Sequence, residues 1–111
     1  MKKKKIIAVN TPLITEKDAL EVYKVVKSGW ISSAGSKIRD FEKGLSKLVN
    51  RNYACCVSSG TAALEIAIKS LNIKKNSEII TPTFSIVSNV NAIIKNNLKP
   101  VLIDTDISTW N

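Results

Sequence analysis

The stretch Val57-Ser58-Ser59-Gly60-Thr61-Ala62-Ala63-Leu64-Glu65 decides how the rest of the chain is read. Ahead of it, Tyr53-Ala54-Cys55-Cys56-Val57 is a short apolar run that predicts a buried strand. Behind it, Ala62, Ala63, Ile66, Ala67 and Leu71 recur at helical spacing in a segment free of Gly and Pro. The Ser-Ser-Gly-Thr corner between them lets the backbone turn sharply. It leaves the first N–H groups of the helix without intrahelical partners. Those groups and the positive end of the helix dipole suit a phosphate or carboxylate, and the Thr61 hydroxyl adds a donor. The same residues also fit an ordinary N-cap, in which a Ser or Thr side chain satisfies the helix and nothing binds. The neighbouring segments have to decide.

Downstream, Glu78-Ile79-Ile80-Thr81 reads as a short strand stopped by Pro82, and Thr83-Phe84-Ser85 as the loop at its carboxyl end. Val87, Val90, Asn91, Ile93 and Ile94 predict a helix running to Lys95. After the turn Asn96-Asn97-Leu98-Lys99, Pro100-Val101-Leu102-Ile103-Asp104 predicts another strand. The order strand–helix–strand–helix–strand means an α/β domain with a mainly parallel sheet. Ligands gather at the carboxyl ends of such strands, where the Ser59-Gly60-Thr61 corner and the Pro82-to-Ile86 loop both fall.

Upstream, Thr15-Glu16-Lys17-Asp18 looks like a capped helix start, with Ala19, Leu20, Val22, Tyr23 and Val26 as the buried face and Ser28-Gly29 as the stop. Trp30 to Gly35 is a loop whose Trp, in the plainest reading, plugs into the core. Ile38, Phe41, Leu45 and Leu48 predict a second helix closing near Asn50. Phe84 and Ile86 lie two residues apart, which on a strand-like loop puts them on one side. Asp104 and Asp106 resemble a carboxylate pair, but an Asp-x-Asp recruits a metal only with further oxygen ligands, so they read as the end of a strand and the start of a loop.

The 111 residues are about the size of one modest domain, with 44% hydrophobic and 23% charged content. No apolar run approaches the ~18 residues that cross a bilayer, and Ile6 to Val9 is too short for a signal-peptide core, so a cytoplasmic protein is expected. Cys55 and Cys56, adjacent on the predicted strand, point to opposite faces. With no histidine in the chain they make no zinc site, and both read as buried, reduced residues. Net charge is +8, but Lys2 to Lys5 form one terminal run, and only six aromatic residues occur. That is a solvated surface with a basic tail rather than a nucleic-acid interface. A basic excess also suits an anionic small substrate.

Several blocks in register carry a further reading. Gly29-Trp30-Ile31-Ser32-Ser33-Ala34-Gly35, Phe41-Glu42, and Val57 to Leu64 resemble, in this order, the N-terminal part of the DegT-type sugar aminotransferases. The segments Thr81 to Ile93 and Pro100 to Asp106 continue the match. These are pyridoxal-phosphate enzymes of fold type I, and the match is similar in flavour to perosamine-synthase-type members, which aminate a nucleotide-linked 4-keto sugar. The resemblance implies the start of the three-layer α/β/α large domain, incomplete in this chain. Residues 1–50 would be an N-terminal helical segment on the substrate and dimer side, and residues 51–111 the beginning of the cofactor-binding part.

By the same resemblance, Gly60 and Thr61 hold the phosphate of pyridoxal 5'-phosphate through backbone N–H groups and the Thr61 hydroxyl. Ser59 and Ile86 complete the cofactor-binding set. Ile86 stands where many relatives place an aromatic ring that stacks on the cofactor, so here a van der Waals lid replaces stacking, with Phe84 as partial compensation. Ser32 and Ser33 fall in the segment that relatives place near the sugar. The catalytic lysine and the aspartate that pairs with the cofactor's ring nitrogen belong to motifs beyond the point matching Asn111. This chain is therefore expected to be an inactive piece of a longer, homodimeric enzyme that uses glutamate as amino donor, with no nucleic-acid or membrane partner and no metal site. Its unpaired strand edges are expected to make it fold poorly alone. Two other readings remain: a sugar dehydratase of the same family, with histidine in place of the lysine, and a stand-alone non-enzymatic phosphate-binding α/β module.

Overall fold

A computed structural model describes residues 7–110. The Lys2–Lys5 run of the basic tail lies outside the described residues. The chain divides into two compact units between Ala54 and Cys55.

The first unit holds two helices, α1 (Glu16–Ser28) and α2 (Ser36–Leu48). Helix α1 starts where the sequence says it should, on a capping box. The Thr15 Oγ1 accepts the N–H of Asp18, and the Asp18 carboxylate accepts the Thr15 N–H at 2.8 Å. Gly29 closes the helix in the left-handed conformation, φ 74°, that residues with a Cβ rarely adopt. The Glu21 carboxylate receives Lys37 Nζ of α2 at 2.6 Å and Lys24 Nζ at 2.9 Å. The hydrogen bond from Lys37, then that from Lys24, hold the Glu21 carboxyl down at about 2.

The second unit runs α3 (Gly60–Ser70), β1 (Glu78–Pro82), α4 (Ser88–Lys95) and β2 (Lys99–Ile103). The strands pair in parallel, with Glu78 opposite Lys99 and Pro82 opposite Ile103. Parallel pairing needs a crossover, and α4 supplies it. Ala92 and Ile93 of α4, with Leu98, are the buried apolar residues, and Thr81 of β1 is buried with them. Helix α3 is tied to α4 by Lys95 Nζ to Glu65 Oε1 at 2.6 Å and by Asn96 Nδ2 to the Glu65 carbonyl at 3.2 Å. Asn72, Asn76 and Asn97 turn the chain at positive φ, which asparagine tolerates better than most residues.

The α/β class with parallel strands is as expected, but three local expectations are corrected. Tyr53–Val57 is irregular rather than a strand, because no neighbouring strand among the described residues pairs with it. With no sheet around them, Cys55 and Cys56 are exposed instead of buried. The apolar faces read from α1 and α2 are largely open: Leu20, Val22, Tyr23, Val26, Phe41 and Leu48 are all exposed, and Trp30 is 66% exposed rather than plugged into a core. Amphipathic periodicity names the face that wants a partner and not whether one is present.

Two outcomes follow from this. The isolated 111-residue chain should bind a hydrophobic dye and unfold over a broad temperature range. A sharp two-state transition from a monomer would contradict that. The lowered carboxyl pKa of Glu21 means that its contribution is complete above about 4.5 and is lost as pH falls toward about 2. Side-chain carboxyl NMR should place its midpoint near that lower value, and Lys37→Met should return it toward the ordinary glutamate range.

Candidate functional site

Two helix starts meet in the second unit. Ser59, extended at φ −162°, is the N-cap of α3, and its Oγ accepts the Ala62 N–H at 3.2 Å. The Ala63 N–H reaches the Ser59 carbonyl at 3.0 Å. The N–H groups of Gly60 and Thr61 lie ahead of the intrahelical ladder and have no acceptor among the described residues. The capping reading of the corner is realised, with Ser59 on the Ala62 amide, and the Gly60 and Thr61 amides are left over.

Helix α4 begins at Ser88, behind Val87, with no side-chain cap. The Thr61 hydroxyl donates to Ser88 Oγ at 3.0 Å, a half-buried bond between residues 27 apart in sequence. A cleft of about 560 Å³ opens here, lined by Gly60, Thr61, Ile86 and Ser88, and by Ala63 and Leu64 of α3. Apart from the two hydroxyls, its side chains are aliphatic. A Cβ placed on Gly60 would meet no heavy atom within 4 Å, so the space over that residue is open.

Of the residues singled out in the sequence, Gly60, Thr61 and Ile86 come together on this cleft, with Ser59 capping the helix behind it. Phe84 does not join them. Its ring meets Trp110 edge-on, centroids 5.3 Å apart at 80°, beside a separate cleft near Asp104 and Asp106. The expectation that Phe84 and Ile86 share a side fails because residues 83–85 bend instead of extending. Asp104 accepts from the Thr83 hydroxyl at 3.3 Å and from the Thr105 N–H at 3.0 Å. Asp106 accepts from the Ser108 hydroxyl and N–H and from the Thr109 N–H, and the Ser108 hydroxyl holds its carboxyl below the usual range. Both aspartates therefore fasten the loop that leaves β2. Ser32 and Ser33 belong to the first unit, in a tight turn where the Ser32 carbonyl accepts the Gly35 N–H at 3.0 Å. A Cβ on Gly35 would sit 3.1 Å from the Trp30 carbonyl oxygen, which explains the glycine. Ser88 was not singled out in the sequence. The available signal was its place just past the Pro82–Ile86 loop, at the start of the following helix.

The geometry can now be set beside known proteins. Residues 12–111 match the DegT/DnrJ/EryC1/StrS aminotransferase family. The chain belongs to that family. It is 38% identical over 106 residues to GDP-perosamine synthase of Escherichia coli O157:H7, covering 96% of this chain and 29% of that protein. It is 36% identical over 110 residues to the spore coat polysaccharide biosynthesis protein SpsC of Bacillus subtilis, covering 99% of this chain and 28% of that one. The chain thus spans less than a third of the length of these relatives. Among solved structures, the sugar aminotransferase Spr1654 of Streptococcus pneumoniae in its PLP form superposes at TM-score 0.83 with 30% identity. That match covers 94% of this chain and 26% of the other. The E. coli GDP-4-keto-6-deoxy-D-mannose-3-dehydratase with bound hydrated PLP gives 0.81 with 25% identity, over 91% of this chain and 27% of the other. These likenesses bear out the aminotransferase fold class. Among the described residues no helix is long and apolar enough to cross a membrane.

The site's two small residues should respond differently to replacement by alanine. Ser59→Ala should lower the stability of the intact protein by about 1 kcal/mol, because it removes the cap on Ala62. Gly60→Ala should stay within about 0.5 kcal/mol of the parent, since nothing crowds its Cβ. Denaturant midpoints test both.

Proposed function

We propose that this chain is the phosphate-gripping part of a pyridoxal-phosphate-dependent aminotransferase that transfers an amino group, from glutamate, to a nucleotide-linked keto sugar for surface-polysaccharide synthesis. One observation carries the reading: Gly60 and Thr61, whose amides have no acceptor among the described residues, line a cleft that also holds two hydroxyls and an aliphatic wall. Family membership and the likeness to a PLP-form sugar aminotransferase support it.

The residues present suit such a cofactor. Its phosphate needs several N–H and O–H donors and a positive helix end, and the start of α3 supplies them. Its ring needs an apolar neighbour, and Ile86 offers an aliphatic one on the cleft wall. Open space over Gly60 lets a ligand approach the backbone closely. When bound, pyridoxal phosphate supplies an electron sink that makes a proton on the adjoining carbon mobile. This chain's part is to anchor and orient: Gly60 and Thr61 fix the phosphate end, Ser59 holds the helix start in shape, and Ile86 limits tilt of the ring. In this reading Ser32 and Ser33 border the sugar, residues 1–50 form the substrate and dimer side, and residues 51–111 open the cofactor-binding part. The lysine and aspartate that complete the chemistry come from outside this chain, and the enzyme acts in the cytoplasm as a homodimer. A second reading, a dehydratase on the same scaffold, is favoured by the dehydratase structure among the likenesses.

The test is to incubate the intact protein with glutamate and a guanosine-diphosphate-linked 4-keto-6-deoxy sugar. Formation of 2-oxoglutarate and an amino sugar is expected, whereas a product that has lost water without gaining nitrogen would favour the dehydratase. Gly60→Asp sets a carboxylate against the phosphate and should weaken cofactor retention by about ten- to hundredfold. Retention unchanged in that variant would remove the grip assigned to this corner.

A further inference from the structure

We infer that Ser88 carries the hydroxyl donor of the phosphate grip, acting as one unit with Thr61, an inference that rests on the cofactor reading above. The two side chains come from different helices, 27 residues apart, and meet at 3.0 Å in a half-buried position on the cleft. Two hydroxyls carry two protons between them. The bond from Thr61 to Ser88 uses one, so the pair has one O–H left to offer, and the donor whose proton is free is Ser88. Thr61 is thereby held in one orientation, and the outward O–H is polarised by the bond behind it. A phosphate has only acceptor oxygens at its contact face and takes such a donor directly.

The position of Ser88 adds a second consequence. Ser88 opens α4 two residues after Ile86, while Thr61 lies in the first turn of α3 beside Gly60. The hydroxyl bond therefore joins the helix start assigned to the phosphate to the segment assigned to the ring. It sets the spacing between them. Among the described residues no other side-chain bond makes that link at this end of the two helices: Lys95–Glu65 and Asn96–Glu65 tie them further along. Ser88 is thus a positioning residue for Thr61 and a donor in its own right, a role distinct from capping, since the N-cap of α4 is Val87 and no side chain caps that helix.

The test is a double-mutant cycle on Thr61→Val and Ser88→Ala in the intact protein, read as affinity for pyridoxal phosphate and, separately, for pyridoxal, which lacks the phosphate. Each single variant is expected to lose about tenfold or more for pyridoxal phosphate, the double variant little more than either single one, and none of them much for pyridoxal. Ser88→Thr, which keeps the hydroxyl, should restore most of the affinity. Unchanged affinity in Ser88→Ala, losses that simply add, or equal losses for both ligands would overturn the role given to Ser88. A parent protein that binds pyridoxal as tightly as pyridoxal phosphate would overturn the cofactor reading itself, and this inference with it.

Discussion

The crossover of α4 between two parallel strands is the constraint on which the second unit depends. Parallel strands cannot be joined by a tight turn, so the chain leaving β1 must climb over the sheet before it returns as β2. That path buries Ala92, Ile93 and Leu98 against the strands. It also fixes where the next helix starts. Because α4 begins just beyond the carboxyl end of β1, Ile86 and Ser88 are delivered to the end of the sheet where α3 also begins. The Thr61–Ser88 bond at one end, and the Glu65 contacts with Lys95 and Asn96 further along, then hold the two helices side by side with their N-termini together. Two positive helix ends in one place make a cleft suited to a dianion.

Much of this was legible in the sequence because it is written locally. The Thr15–Asp18 capping box, the Gly29 stop, the helix after Ser59 and the strands on either side of α4 depend on neighbours within a few residues. What was not legible depends on partners. Tyr53–Val57 has a strand's composition, yet a strand is made by pairing, and no described strand lies beside it. The burial assigned to Cys55, Cys56 and the α1 face failed for the same reason. Phe84 was misplaced because an alternation rule was carried into a segment that bends. Ser88 was overlooked because a serine at a helix start has an ordinary explanation, and only the fold shows that it meets Thr61.

The site shows the same division. Backbone donors at Gly60 and Thr61 follow from chain geometry and needed no tertiary information. The second hydroxyl and the aliphatic wall are properties of two segments brought together. The exposed apolar faces on α1 and α2 stand beside the finding that the chain spans less than a third of its relatives' length.

The central claim is that the start of α3 grips the cofactor's phosphate. A crystal structure of the intact protein soaked with pyridoxal phosphate tests it most directly. The account predicts the phosphorus atom beside the Gly60 and Thr61 amides, with both nitrogens within hydrogen-bond distance of its oxygens. A cofactor bound with its phosphate elsewhere, and those two amides turned to solvent or protein, would contradict it.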